Sequence, residues 1–269
     1  MSAFTIDMRR RAWLHLIYLD LRCSELTGMD ALLDEDEVMS TVWPVNVDNA
    51  EWEAWLHTRR APPPQHSTGI TDMTFVILRC QLARALYSIL SRVSSLTATE
   101  TDSIVENMRN ELTKSLSLPL SGILGQEDAS TCRPIEKFTE VYLRLEFEQM
   151  RLALDVSHVK YGRRSNDEHK NDTWHRAVHI LEGLAHLERT SQGYGWSWVV
   201  ASAPRFFAVA TILCHRIHRQ QHFTNAEWAQ AWQESERVFN LHESSLTDVR
   251  EECGSWAIIK YWRNLARDS

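Results

Sequence analysis

The segment GYGWSWVVASAPRFFAVATILCHRIH, Gly193 to His218, holds the residues whose types best suit chemistry. Tyr194, Trp196, Trp198, Phe206 and Phe207 offer aromatic surface, and His215 follows them. Aromatic walls with a few donors suit an apolar terpenoid or polyketide. Such a pocket could simply sense its ligand. It could also hold a reactive substrate folded, which speeds a unimolecular cyclisation by preorganisation. One donor aimed at an aldehyde or enone oxygen would polarise the adjoining alkene without any cofactor. His215 and Tyr194 are the candidate catalytic donors, with Trp196, Trp198, Phe206 and Phe207 as the candidate substrate-binding walls. The competing reading is a plain core stripe.

Other chemistries find less support. His175 and His179 lie four apart with His186 seven further on, and His218 and His222 are also four apart. Such pairs can chelate, but a metal site needs a third protein ligand and an open position, and no His-Glu-x-x-His pattern occurs. No metal is expected. Ser, His and Asp are present without a Gly-x-Ser-x-Gly elbow, so triad hydrolysis is unsupported. No Gly-rich phosphate loop points to a nucleotide, and no cofactor is expected. Asp34-Glu35-Asp36-Glu37 reads as a solvated helix start rather than a diphosphate-metal motif. Arg9-Arg10-Arg11 turns through about 200° on a helix, so the three cannot share one narrow face. At least one should point inward to an acid such as Asp20, Glu25 or Asp72.

These residues must be positioned by helices. Phe75, Leu78, Leu82, Leu86, Ile89 and Val93 step by three and four, as do Ile104, Met108, Leu112 and Leu116. Thr97 with Glu100 and Thr224 with Glu227 read as capping boxes. Pro134 can open a helix that turns Ile135, Phe138, Tyr142 and Leu145 inward. Asn171 or Asp172 can cap a helix ending before Gly193. Thr224 opens one with Trp228, Trp232, Ser235 and Phe239 on one face. Thr247 or Asp248 opens the last, striped by Val249, Trp256, Ile259 and Trp262. The segment from Gly193 to His218 is apolar nearly all round, so it should be a buried central helix, bent at Pro204. Trp43–Gly69, Leu118–Arg133 and Asp155–Asn171 read as irregular connections. No strand alternation is evident. The expectation is an all-α single domain over residues 1–269, with about eight or nine helices.

The totals agree with that class. The chain has 269 residues, 43% hydrophobic and 24% charged, with 9 Gly and 7 Pro, which argues against a loop-rich β protein. Its net charge of −7 gives no reason to expect nucleic-acid binding. Five widely spaced Cys without a metal-type pairing read as reduced intracellular thiols. No apolar run is long enough for a membrane span.

Three stretches carry a resemblance: DMRRRAWLHLIYLDLRCSELTG at Asp7–Gly28, WPVNVDN at Trp43–Asn49 and GITDMTFVILRCQLAR at Gly69–Arg84. The chain resembles the middle homology region of fungal-specific transcription factors, the helical domain downstream of a zinc binuclear cluster. Similarity continues more weakly through WSWVVASAPRFFAVATILCHRI, AEWAQAWQESERVF and SWAIIKYWRNLAR. The resemblance implies an all-α regulatory or ligand-sensing domain. The six-cysteine cluster is absent from this sequence, so direct DNA binding is not expected, and the family's early helices read as missing or truncated.

Two functions stay open. The first is a stand-alone, cofactor-free cyclase or isomerase on a fungal secondary metabolite, with a Diels–Alder-type closure as the example. Met1, read as a natural start, tilts toward it, and it calls for a closed apolar cavity. The second is a ligand-sensing or protein-interacting regulatory fragment. The expected partner is an apolar small molecule, with a homodimer also open. The expected location is intracellular: cytoplasmic, or nuclear for a regulator.

Overall fold

The computed structural model describes residues 1–27, 32–33, 35–40, 42–58, 62–90, 92–116, 134–160, 167–192, 194, 199–200, 205–218, 223–245 and 254–267. Among these the chain is all-helical, with no strand. The helices are α1 Ala3–Thr27, α2 Glu35–Ser40, α3 Asn49–Thr58, α4 Thr74–Leu90 and α5 Ala98–Leu116, then α6 Pro134–Lys160, α7 Asp167–Ser191, α8 Phe206–Ile217, α9 Asn225–Ser245 and α10 Gly254–Arg267. No helix among the described residues is long and apolar enough to cross a membrane. The chain divides into two compact units, Met1–Phe147 and Glu148–Ser269, and the division falls within α6.

In the first unit α1 packs on α4, and α2 also rests on α4. Leu14, Ile17 and Leu21 step along the buried face of α1, opposite the α4 stripe of Leu78, Leu82, Leu86 and Ile89. A polar lock surrounds the α1–α4 pair. Asp7 accepts from the backbone N–H of Val45 at 2.7 Å and from Arg11 Nε at 2.8 Å. Asn46 accepts from the hydroxyls of Thr71 at 2.7 Å and Thr74 at 2.8 Å, while its amide donates to the carbonyls of Ser67 and Gly69. The inward arginine of the triplet is therefore Arg11, and its acid is Asp7, one helical turn earlier. Asp20 instead accepts the N–H groups of Leu32 and Leu33, and Asp72 accepts that of Asn49. The Glu25 side chain lies outside the described residues.

Two of the expected connections, Trp43–Gly69 and Asp155–Asn171, are partly helical. Residues 49–58 form α3 inside the Trp43–Gly69 stretch. Its start is fixed by a reciprocal pair: Asp72 accepts from Asn49 N–H, and Asp48 accepts from Asp72 N–H at 2.9 Å. Trp52 is buried between Phe4 and Trp55, each with its ring centroid 5.6 Å away.

In the second unit α7 packs on α8, α8 on α10, and α9 on both α7 and α8. Trp174, Ile180 and Leu184 of α7 are buried, as are Val209, Ile212 and Leu213 of α8, Ala231 and Phe239 of α9, and Ile259 and Ala266 of α10. Glu236 of α9 receives Arg263 and Arg267 of α10, so a two-arginine clamp joins those helices. Here α7 begins at Asp167 rather than Asn171 or Asp172, and α6 runs on to Lys160. Buried Asp155 holds that end of α6 in place by facing Arg176 Nε at 3.7 Å. Thr247, Asp248 and Pro204 lie outside the described residues.

Candidate functional site

The site grows from the capping box at Thr224. The Thr224 N–H and hydroxyl both donate to Glu227, at 2.7 and 2.8 Å, and Glu227 N–H returns to the hydroxyl at 3.3 Å. Those bonds hold the Glu227 carboxyl below its ordinary range, with a further pull from His175. The box sets the rotation of α9. Asn225, Trp228, Ala229 and Trp232 follow at helical spacing and share one face.

Behind that face stands an aromatic cluster drawn from four places in the second unit. Trp174 of α7 stacks on Phe223 at 4.5 Å and meets Trp228 edge-on at 4.3 Å. His215 sits in the last turn of α8, buried, with Trp174 at 5.7 Å and Phe223 at 6.0 Å. His175 touches Phe223 from the exposed side at 5.8 Å. Edge-to-face and offset geometries of this kind add about 0.5–1.5 kcal/mol per pair beyond area burial.

In front of the cluster is a groove of about 360 Å³, lined by Arg216, Asn225, Trp228, Ala229, Trp232, Ala266 and Arg267. Asn225, Ala229 and Arg267 are exposed, so the groove opens to solvent. Ala229 and Ala266 are the small side chains of its lining. Arg216 holds its guanidinium 5.2 Å from the centroid of the Trp228 ring, and among the described residues it has no carboxylate partner. Arg267, by contrast, is tied to Glu236 at 3.1 Å. The groove thus combines indole walls, an amide and a cation, Arg216, without a carboxylate partner among the described residues.

The residues singled out from the sequence are dispersed. His215 lies in the aromatic cluster. Phe206 and Phe207 meet each other edge-on at 5.8 Å in the first turn of α8. The eight or nine residues that separate them from His215 place them about 12 Å further along the axis. Tyr194 is 43% exposed just beyond α7. Trp196 and Trp198 lie outside the described residues. Trp174, Phe223, Arg216, Asn225 and the Trp228–Trp232 pair were not assigned to a site from the sequence. The usable signal was the Asn225, Trp228, Ala229, Trp232 spacing directly after a capping box. Among the described residues no group of three or more His, Cys, Asp or Glu is placed to hold a metal ion.

No protein-family model, no curated protein and no solved structure matches this chain.

Proposed function

We propose that the chain is a small-molecule-binding helical domain of the kind it resembles in fungal regulators, without DNA binding of its own, and that its ligand occupies the α8–α9–α10 groove. The observation that carries this reading is Arg216, a cation without a carboxylate partner among the described residues, set over the Trp228 ring at the groove wall. Indole surface favours a flat apolar or aromatic body, and a guanidinium favours a carboxylate or enolate on its edge. The ligand class is therefore a flat organic anion. Calorimetric titration of 2-naphthoate against its neutral isostere 2-naphthamide tests this. The acid should bind at least about tenfold more tightly, as a charge-assisted bond predicts. Equal binding of the two removes the reading.

A catalytic reading draws on the same donors. Arg216 and Asn225 face a groove walled by Trp228 and Trp232, where a donor could polarise the carbonyl of a folded polyketide or terpenoid and favour cyclisation. The solvent-open rim and the guanidinium lining differ from the closed apolar cavity that a cyclase calls for, so binding is placed first. Chromatography with mass spectrometry on a linear polyketide or terpenoid precursor, with and without purified protein, separates the two readings. A new isomer formed at a rate proportional to protein concentration supports catalysis.

A further inference from the structure

Among the described residues of the first unit, one cluster sets two guanidiniums, Arg22 and Arg79, beside one carboxylate, Glu146. On α1, His15, Tyr18 and Arg22 step by three and four along one face. On α6, Thr139, Tyr142 and Glu146 do the same. On α4, Phe75 and Arg79 lie one turn apart. Tyr18, Arg79, Thr139, Tyr142 and Glu146 are all buried. The Arg79 guanidinium lies 3.9 Å from the Tyr18 ring centroid and 5.5 Å from that of Phe75. Arg22 covers the Tyr18 ring at 4.9 Å, and Phe75 meets Tyr142 edge-on at 4.9 Å.

Among the described residues of this cluster, Arg79 lacks a counter-charge of its own. Glu146, the acid of this cluster, receives Arg22 through one oxygen. Arg79 has no carboxylate partner among the described residues, and its polar contact is His15 Nδ1 at 3.3 Å. Burial and Arg79 both disfavour a second proton on His15. Burial holds the neighbouring Cys80 thiol protonated, with its pKa pushed up to about 11. Neither group supplies a negative charge, and a guanidinium does not give up its own.

The hydrogen bonds do not balance either. The Tyr18 and Tyr142 hydroxyls, Thr139 Oγ1 and Arg79 Nε–H have no partner among the described residues, and the one spare carboxylate acceptor is Glu146 Oε1. A neutral guest would add acceptors but leave the cation uncompensated. An anion supplies both.

We propose that this interior is a binding site for a compact monovalent anion, a halide or a single carboxylate group, held by Arg79 with the hydroxyls of Tyr18 and Tyr142. The site lies in the first unit and does not depend on the groove reading.

The test is thermal unfolding of the full chain at constant ionic strength, in chloride, bromide or formate against gluconate. It is paired with anomalous diffraction from bromide-soaked crystals. Above the dissociation constant the midpoint should climb by about 3 °C for each tenfold rise in the small anion. Bromide should appear beside Arg79 and the two hydroxyls. A stronger effect of formate identifies a carboxylate head group, and a stronger effect of bromide identifies a halide. Arg79→Met should abolish the response. Should that variant not fold, the Tyr18→Phe/Tyr142→Phe pair, which keeps both rings, should weaken anion affinity at least tenfold. A midpoint identical in all four salts, ordered water alone at the site, or an anion response unchanged in the tyrosine pair would overturn the proposal.

Discussion

Both units place a guanidinium on an aromatic face, and they do so under opposite conditions. In the second unit Arg216 sits 5.2 Å from the Trp228 ring at the wall of an open groove. In the first unit Arg79 lies 3.9 Å from the Tyr18 ring, with 2% of its surface exposed. Water at the groove keeps inexpensive a cation such as Arg216, which has no carboxylate partner among the described residues. In the interior the same arrangement leaves a desolvated charge whose penalty is several kcal/mol before compensation. A cation on an aromatic ring therefore says little by itself. Its exposure decides whether it serves binding or demands a counter-charge.

The largest effect should come from the core behind Arg216. Trp174→Ala removes a fully buried indole that touches His215, Phe223 and Trp228. It should cost about 3–5 kcal/mol in denaturant unfolding and loosen the groove with it.

Next comes the buried ion pair. Arg22→Met leaves Glu146 without its guanidinium in the interior, at an expected cost of about 3 kcal/mol. Arg22→Met with Glu146→Leu should recover most of that loss. Arg216→Met, on the open groove, should change stability by less than about 0.5 kcal/mol. Comparable losses from Arg22→Met and Arg216→Met would erase the distinction drawn between the units.

A smaller effect concerns Glu236. Its hydrogen bond from Arg263 is the main cause of a carboxyl pKa below the ordinary 4.5, with the charges of Arg263 and Arg267 adding to it. A carboxyl depressed in the folded state stabilises it above the unfolded value, and that stability is lost as pH falls through the folded value. The stability gap between wild type and Glu236→Gln should thus be present at pH 7 and shrink progressively below pH 4.5, read from urea midpoints across that range. The smallest expected effect is at the α9 start. Thr224→Ala should cost about 1 kcal/mol, with helix α9 fraying first by hydrogen exchange.

What could be read from the sequence divides along the same physical line. The boxes at Thr97 and Thr224 and the α4 stripe were legible because each is written within a few residues. Helix α3 was hidden because its start depends on Asp72, more than twenty residues away, and Pro44 with the Pro62–Pro64 run argued for extended chain. The partner of Arg11 was sought too far along the chain, although Asp7 stood one turn back. The groove was illegible as a whole because its lining comes from α8, α9 and α10 and its backing from α7. Helix pairing is not encoded in periodicity. Arg79 could have been noticed, since it interrupts the apolar run of α4 on its inward side.

The most direct test is calorimetry of 2-naphthoate and 2-naphthamide on wild type and on Arg216→Met. Wild type should prefer the acid at least about tenfold, and the preference should vanish in the variant while amide binding stays within about twofold. An acid preference that survives the loss of Arg216, or no binding of either probe to wild type, would contradict the groove reading.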